Sequence, residues 1–430
     1  MEKFDAIIVG GGLAGLAAAY TLAGEGLEVL VLERGDYAGA KNVTGGRIYL
    51  DPLRELFPEL WEKAPLERGI AKEELCMMSP DDSLSLSFRD LKRDPSENGY
   101  QSYSVLRAKF DRWFSKQVEG RGAALVTKSR VDKLLKKDGK VIGVVVDGEE
   151  LGADVVIAAD GVLSLIAEEA GLRKPGSAHD FAVGIKEIIE MDKGLLEDRF
   201  ALENGEGAAR MFMGDVTRGK FGGGFLYTNK ESISLGLVLG IHSMFEGAAC
   251  ESAPALLEAF KARPEVARLL QGGTTVEYSA HVVPEGGQRA VGSLYGDGVL
   301  VAGDAAALCL NLGLTVRGMD YAMLSGYFAA QAVLYAREKG DFGATTLKKY
   351  EELLNNSLVL KDFETFKKTP DILDNPRLFA HYPQLAGKVL RDLYEIPAAP
   401  KRRFFKTIRR HLGWKEIIGL ARDARKLVKL

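Results

Sequence analysis

The chain has 430 residues, of which 46% are hydrophobic and 27% are charged, and its formal net charge is −3. This length is enough for two or three packed units with sizeable buried cores. The near-neutral balance excludes an intrinsically disordered chain and gives no reason to expect nucleic acid as a partner.

The three cysteines, Cys76, Cys250 and Cys309, lie far apart and form no Cys-x-x-Cys pair. Their spacing predicts neither a disulfide framework nor a metal site, so we expect a reducing compartment. The N-terminus shows no signal-peptide zones, and the most apolar run, residues 298–314, is interrupted by Asp304. We therefore expect a cytoplasmic protein without a membrane span.

The strongest pattern lies at the N-terminus, where the apolar run of residues 6–9 is typical of a buried parallel strand. Gly10, Gly12 and Gly15 follow with G-x-G-x-x-G spacing, and a small-residue helix is predicted over 16–23. In such a unit the first glycine makes the turn, the second admits a pyrophosphate and the third lets helix and strand pack closely. The helix start then directs N–H groups toward the phosphates.

A second predicted strand, residues 28–33, ends in Glu33. A carboxylate at this position accepts hydrogen bonds from the adenosine ribose hydroxyls, and its charge disfavours a 2′-phosphate. FAD and NAD are therefore favoured over NADP. The alternative is a glycine turn used only for packing, but the order of strand, turn, helix, strand and acid favours a Rossmann unit.

A second glycine turn distinguishes FAD from NAD. Residues 298–304 predict another buried strand, closed by Gly303 and Asp304, with a helix from about Thr315 onward. Asp304 can bind a ribityl hydroxyl, and the helix start can direct N–H groups at the flavin N1–C2 edge. NAD has no ribityl chain, so the cofactor predicted is FAD. A strand followed by an N-capping aspartate is the alternative.

The middle of the chain changes character, because residues 225–227 and 232–238 predict antiparallel strands and residues 253–261 a helix. Gly222, Gly223 and Gly224 precede a strand, whereas a nicotinamide-binding turn follows one, so we find no second dinucleotide motif. The predicted fold is α/β, a Rossmann-type FAD-binding domain with an inserted antiparallel-sheet (α+β) domain and a helical C-terminal region. The predicted boundaries are 1–175 plus 291–345 for the FAD-binding domain, 176–290 for the inserted domain, and 346–430 for the helical region.

The tail from residue 401 to 430 carries eleven Lys and Arg residues against Glu416 and Asp423. Apolar residues such as Phe405, Ile408 and Ile417 recur there at helical spacing, which predicts an apolar stripe beneath a basic face. Such a tail can lie on an anionic membrane or dock on an acidic partner. It can also pack on its own core.

The run Leu310 to Asp320 after Gly303–Asp304 is distinctive and resembles the FixC type of the electron-transfer-flavoprotein:quinone oxidoreductase family. Further segments resemble this family in the same order along the chain. They are residues 39–47, 103–113, 183–187, 222–229 and 279–287. The resemblance covers most of residues 1–345.

The resemblance implies that Thr44, Gly45 and Gly46 lie along the flavin and that Arg107 points toward the pyrophosphate. Val131 would meet adenine through its backbone. The cofactor-binding residues predicted from the motifs and the resemblance together are Gly10, Gly12, Leu13, Ala14, Gly15, Glu33, Arg34, Thr44, Gly45, Gly46, Arg47, Arg107, Val131, Asp160, Gly161, Gly303, Asp304, Gly313, Thr315 and Val316.

For some of these residues a structural role is an equal alternative. Arg107 can be a surface charge on a helix, and Asp160–Gly161 a plain turn after a strand. No catalytic residue and no metal ligand are predicted, since the flavin itself carries the electrons. His281, Lys186 and Glu187 fall in family segments but are assigned no chemistry.

Family relatives of the mitochondrial type hold an iron–sulfur cluster near the C-terminus, and this chain lacks the clustered cysteines. The FixC arrangement then implies a separate ferredoxin-like protein, FixX, with electrons delivered by the α and β subunits of electron-transfer flavoprotein. Quinone is the implied acceptor, with electron bifurcation in the flavoprotein partner and association with the cytoplasmic face of the membrane. A geranylgeranyl-reductase-like enzyme, an aromatic monooxygenase and a non-catalytic FAD-containing assembly subunit are the alternatives.

Overall fold

The computed structural model describes residues 2–41, 46–93, 95–245 and 251–428. The strands are β1 Glu2–Val9, β2 Val29–Leu32, β3 Arg47–Tyr49, β4 Gly69–Met78, β5 Ser83–Arg89, β6 Ser102–Ser104, β7 Ala124–Val126, β8 Val131–Lys137, β9 Lys140–Val146, β10 Glu149–Ala158, β11 Phe181–Glu190, β12 Glu206–Gly214, β13 Gly222–Thr228, β14 Ser232–Gly240, β15 Thr274–Pro284, β16 Tyr295–Gly296, β17 Val299–Val301, β18 Leu310–Asn311 and β19 Val316–Arg317. The helices are α1 Leu13–Gly24, α2 Pro58–Trp61, α3 Pro95–Asn98, α4 Arg107–Glu119, α5 Leu165–Glu169, α6 Lys193–Phe200, α7 Ile241–Met244, α8 Ala253–Ala262, α9 Pro264–Leu270, α10 Met319–Lys339, α11 Ala344–Leu347, α12 Lys349–Asn356, α13 Leu358–Thr365, α14 Thr369–Leu373, α15 His381–Tyr394, α16 Phe404–His411 and α17 Trp414–Leu427.

The first sheet is built on parallel strands in the order β17-β10-β1-β2-β7, with β16, β9 and β8 added in antiparallel pairs. Val9 is in register with Leu32 on one side and with Ala158 on the other, and Ala158 is in register with Val301. The carboxyl ends of four strands therefore end level at one edge. This confirms the predicted Rossmann unit.

Helix α1 follows β1 and is almost entirely buried, because its small residues let neighbouring backbones come close. A Cβ atom placed on Gly15 would lie 2.0 Å from the carbonyl oxygen of Gly10. On the other side, a Cβ on Gly326 of α10 would lie 2.1 Å from the carbonyl oxygen of Ala14. The glycine turn is thus fixed between the sheet and α10.

The second sheet has the strand order β15-β11-β14-β13-β12-β4-β6-β3, and β5 pairs with β4. Strands β11 to β15 are antiparallel to one another where they pair, as predicted, whereas β12 and β4 are parallel. Side chains alternate between the two faces. Leu226 packs with residues of α6, α8 and α9, while Phe225 and Tyr227 belong to a separate cluster on the opposite face.

Strands β3 to β6, from residues 47–104, belong to this second sheet. The predicted boundary at residue 176 therefore does not separate the two sheets, because part of the segment assigned to the FAD-binding domain contributes strands to the second one. The domain limits at 291 and 346 stay a prediction.

The helix expected from about Thr315 begins only at Met319. A short hairpin of β18 and β19 precedes it instead. Its turn contains Gly313 at φ +82°, whose N–H donates to the side-chain oxygen of Asn311 over 2.8 Å. This bond between a side chain and the backbone stabilises the turn of the hairpin, which takes the place of the expected first turn of the helix.

Helices α11 to α17 form the C-terminal region that the sequence predicts to be helical. In the described part of the chain, every helix is too short or too polar to cross a lipid bilayer.

Candidate functional site

A cavity of about 960 Å³ lies between the two sheets. Its polar end is lined by the loops that leave the carboxyl edge of the first sheet. Its apolar end is lined by the second sheet, by the hairpin before α10 and by residues 373–379 of the C-terminal region. Ligands of open α/β sheets bind outside the carboxyl ends of the strands, so the polar end is where a dinucleotide is expected.

The glycine turn forms one wall of the polar end. Gly10 has φ +108°, and a Cβ at this residue would lie 2.2 Å from the carbonyl oxygen of Ala159, so a larger residue does not fit. Gly12 is the N-cap of α1, and no side chain caps the helix. The N–H groups of the first turn are therefore left for a ligand, together with the positive end of the helix dipole.

Glu33 closes the same wall and is buried. Its carboxylate accepts hydrogen bonds from the N–H groups of Gly11 at 2.8 Å and Gly35 at 2.6 Å. An ionised carboxylate has about four acceptor positions, so two remain for ribose hydroxyls. The backbone bonds hold Glu33 in place before any ligand arrives.

Two aspartates face the cavity from neighbouring strand ends. Asp304 follows β17, and no described residue donates a hydrogen bond to its carboxylate; burial raises its pKa to about 6, while Arg107 and Arg173 lower it. Asp160 follows β10 and accepts from the N–H of Ile166 through one oxygen, while the other oxygen is buried and has no partner among the described residues. Burial raises the pKa of Asp160 as well. A bound ligand with hydroxyl groups would satisfy these oxygens.

Two arginines reach the cavity from other elements. Arg107 is buried at the start of α4 and forms a bidentate ion pair with Asp111, at 3.0 and 2.9 Å. It is therefore not a surface charge, which was the alternative interpretation. Arg47 on β3 donates to Glu73 at 3.0 Å and to Ser102 at 2.8 Å. These partners fix both guanidinium groups beside the cavity.

Most of the residues predicted to bind the cofactor line this one cavity. They are Gly10, Gly12, Leu13, Ala14, Glu33, Arg34, Gly46, Arg47, Arg107, Val131, Asp160, Gly161, Asp304, Gly313 and Val316. Their contact with the cofactor stays a prediction, but their convergence from distant parts of the chain is a finding. Thr44 and Gly45 lie outside the described residues.

Gly15, Gly303 and Thr315 are not among the residues that line the cavity. Gly15 lies behind the glycine turn, and Gly303 donates its N–H to Ser325 of α10. The carbonyl oxygen of Thr315 accepts from the N–H of Leu312 within the hairpin. The structure gives these three residues supporting roles behind the cavity wall.

The sequence did not single out the residues of the apolar end. The second sheet contributes Leu75, Met211, Met213, Phe225, Tyr227 and Val238. The C-terminal region contributes Leu373, Leu378 and Phe379. The sequence also gave no sign of the roles of Glu285 and Asn311. These two residues lie on the cavity wall and are joined by a hydrogen bond of 2.8 Å. Burial raises the pKa of Glu285 to about 7. Both residues fall in segments used for the family resemblance, but no spacing marked them.

Lys186 and Glu187 of β11 take part in ion pairs with neighbouring elements. Lys186 lies 3.7 Å from Glu277, and Glu187 lies 2.9 Å from Lys261. His281 does line the cavity, and burial lowers its pKa, with Arg34 and Arg107 adding to the effect.

The residues of the polar end fit FAD. An uncapped helix start suits the pyrophosphate, and the carboxylates of Asp304 and Asp160, which keep acceptor positions that no described residue fills, suit the hydroxyls of a ribose or ribityl chain. When bound, FAD supplies the transfer of one or two electrons. The chain's own residues would hold it, shield it from solvent and direct the access of partners.

Two protein families match this chain. Residues 5–102 match the model of FAD dependent oxidoreductases, and residues 369–430 match the C-terminal domain of the ETF-QO/FixC family. The second match covers the helical region from α14 onward.

Known proteins resemble the chain over nearly its full length. Protein FixC of Escherichia coli (strain K12) is 48% identical over 99% of this chain and 98% of its own. The probable electron transfer flavoprotein-quinone oxidoreductase YdiS of the same strain is 42% identical over 98% of this chain and 97% of its own. Protein FixC of Azorhizobium caulinodans is 39% identical over 98% of both chains.

Solved structures share the fold. A geranylgeranyl bacteriochlorophyll reductase-like protein from Thermoplasma acidophilum superposes with a TM-score of 0.73 at 20% identity, over 98% of this chain and 100% of that one. The myxobacterial FAD-dependent halogenase CndH gives a TM-score of 0.65 at 19% identity, over 91% and 90% of the two chains. At this identity only the architecture is shared.

We predict that Asp304→Asn stabilises the FAD-free protein while weakening FAD binding. The raised pKa of Asp304 means that the folded protein resists its ionisation, so stability falls as pH rises from about 4 to about 6. The variant removes this loss and is more stable at pH 7 by roughly 1 kcal/mol, allowing for solvent screening. Urea unfolding of the FAD-free protein across this pH range measures the effect.

FAD affinity of the same variant should fall by about 10-fold or more, because a hydrogen bond to a charged group is lost. Asp36→Asn, at an exposed carboxylate, is the control and should change neither property. An unchanged pH profile together with unchanged FAD affinity would show that Asp304 does not face the cofactor.

Proposed function

Since the chain belongs to the FixC and electron-transfer-flavoprotein:quinone oxidoreductase family, we propose that it accepts electrons from the α and β subunits of an electron-transfer flavoprotein and passes them to a quinone. The chain is an FAD-dependent oxidoreductase. A separate ferredoxin-like protein of the FixX type would act in or beside this route. The observation that carries the proposal is similarity over the whole length to FixC and to YdiS, a probable oxidoreductase of this kind.

The two ends of the cavity support a quinone as acceptor. The polar end accounts for a dinucleotide, and the apolar end adds phenylalanine, methionine and leucine side chains that a second charged ligand would not require. Apolar walls of this kind suit a flat ring with a hydrocarbon tail. The acceptor would therefore lie beside the second sheet.

The source of electrons follows from what the sequence lacks. It has one dinucleotide motif and three cysteines without cluster spacing. A nicotinamide dinucleotide would need a second glycine turn, and an iron–sulfur cluster would need grouped cysteines. Electrons would therefore come from a protein partner, and the proposal includes electron bifurcation within that partner. An iron–sulfur cluster would reside in another chain.

We also propose that the protein lies on the cytoplasmic face of an anionic membrane. Strand β5 exposes Leu86 and Phe88, with Leu86 68% accessible, and the C-terminal helices expose Phe405 at 81% and Trp414 at 77%. Asp82, just before β5, forms an ion pair of 2.8 Å with Arg391 of α15, and Asp392 of the same helix lies 2.8 Å from His411 of α16, so β5 and α16 both adjoin α15.

The tail helices attach to the protein through polar side chains. His411 of α16 lies 2.8 Å from Asp392, and Glu416 of α17 lies 2.7 Å from His381. Asp423 lies 3.1 Å from Arg377. Because polar contacts hold the inner side, aromatic residues remain outward among the many basic residues, as expected for an interfacial helix.

Stopped-flow absorbance tests the electron route. Reduced electron-transfer flavoprotein should reduce the bound FAD, and a water-soluble quinone added next should reoxidise it within the same experiment. The yellow absorbance falls and then returns. FAD that is reduced by the flavoprotein but not reoxidised by quinone would contradict the proposed acceptor, and FAD that the flavoprotein cannot reduce would contradict the proposed donor.

Vesicle co-sedimentation tests the membrane surface. The protein should bind vesicles that contain anionic lipid, and binding should weaken at high salt because charge contributes. Phe405→Ser combined with Leu86→Ser should reduce the bound fraction several-fold through lost apolar burial. Val276→Ser on β15 removes an exposed apolar residue elsewhere and is the matched control. Equal binding by all three proteins would exclude this surface.

A further inference from the structure

Glu285 occupies a defined position on the cavity wall, in the loop that follows β15. Its side chain is half-buried, and its Oε1 accepts a hydrogen bond from the Nδ2 of Asn311 at 2.8 Å. The N–H of Gly313 donates to the Oδ1 of Asn311, also at 2.8 Å. The second bond fixes the orientation of the amide, so Asn311 must present its NH₂ group to Glu285. Among the described residues none donates a hydrogen bond to the other oxygen, Oε2, and the residue lines the cavity.

The site of Glu285 is where the polar and apolar ends meet. The hairpin that carries Asn311 and Gly313 touches the C-terminal region, since a Cβ on Gly313 would lie 3.5 Å from Leu373. Leu373 packs with Phe221 and Phe379, which line the apolar end. A group that reaches across this boundary can act on a ligand in the apolar half.

The charges around Glu285 favour its neutral form. Burial raises the pKa of this carboxyl to about 7, and the hydrogen bond from Asn311 and the charge of Arg289 lower it by less. Among the described residues no lysine or arginine forms an ion pair with Glu285. Cys309, which lines the same cavity and interacts electrostatically with Glu285, adds no positive charge. A protonated carboxyl is therefore available near neutral pH.

The other titratable groups of the cavity are less suited to giving a proton. Burial raises the pKa of the Cys309 thiol well above its usual range, so it holds its proton. Burial also lowers the pKa of His281, which disfavours the imidazolium form that would donate a proton as an acid. Asp304 lies at the polar end, where it is expected to bind the cofactor.

We propose that Glu285 is the proton donor to the quinone, with Asn311 as the residue that positions it. The inference rests on the proposed function. The quinone would take two electrons and one proton from anionic reduced FAD, which becomes oxidised FAD, and the second proton from Glu285. The O–H bond of the carboxyl breaks as an O–H bond of the quinol forms. The carboxylate then regains a proton from solvent.

Glu285→Gln keeps the size and the bond to Asn311 but removes the acidic proton. We expect the rate of FAD reoxidation by quinone to fall by about 100-fold or more, the usual contribution of a general acid. Reduction of FAD by the electron-transfer flavoprotein and the KM for quinone should change little. The fall of the wild-type rate as pH rises through about 7 should disappear in the variant. Glu285→Asp, which retains an acid, should restore part of the rate.

A second readout does not depend on turnover. In FAD-free protein with ¹³C-labelled glutamate carboxyls, one resonance should titrate near pH 7 and be missing from Glu285→Gln. Glu258→Gln on the exposed side of α8 is the control and should leave the reoxidation rate and this resonance unchanged. Both variants should keep bound FAD, which shows that they are folded.

The outcomes separate this inference from the proposed function. Wild-type protein that does not pass electrons to quinone would overturn the proposed function and the inference with it. Wild-type protein that reduces quinone, with a Glu285→Gln variant of equal rate and equal pH profile, would overturn the inference alone. A Glu285 resonance, assigned by its loss in Glu285→Gln, that titrates near the ordinary glutamate pKa would also overturn it.

Discussion

The level ends of four parallel strands are the constraint on which the site depends. Hydrogen bonding in the first sheet places the last residues of β1, β2, β10 and β17 side by side. The chain that leaves these strands carries the glycine turn, Glu33, Asp160 and Asp304. Residues separated by almost 300 positions in sequence therefore face one cavity. Since the side chains follow from backbone register, they need no ligand to bring them together.

The second sheet determines what can approach from the other side. Its strands present one face to a helical core and the other to the cavity, through the alternation of side chains along β13. The cavity thus has a polar half built by loops and an apolar half built by a sheet. Glu285 and Asn311 lie on the wall of this cavity and are joined by a hydrogen bond, which is the basis for the proposed proton transfer to quinone.

Local patterns predict much of this architecture. The strand, glycine turn and helix at residues 6–23 depend on neighbouring residues alone, and so do the strands and the helix of the middle region. Pairing between distant segments left no such pattern, and the membership of β3 to β6 in the second sheet was therefore missed. The hairpin before α10 was missed for a local reason. The Asn311 side chain accepts the N–H of Gly313 and so stabilises a hairpin turn where a helical turn was expected.

The site was predictable to the extent that glycine spacing and strand ends report on backbone geometry. Gly10, Glu33 and Asp304 could be found in this way. The apolar end could not, since its residues are ordinary core residues in sequence and differ only in the space beside them. Glu285 carries no mark in the sequence, because its place on the cavity wall and its bond to Asn311 arise only in the fold.

The most direct test of the account is a crystal structure of the protein with FAD bound. We predict one FAD per chain, with its pyrophosphate at the start of α1, its adenosine ribose at Glu33 and its ribityl chain at Asp304. FAD bound elsewhere, or bound in this cavity with the adenosine at Asp304 and the ribityl chain at Glu33, would contradict the claim that the level strand ends build the cofactor site.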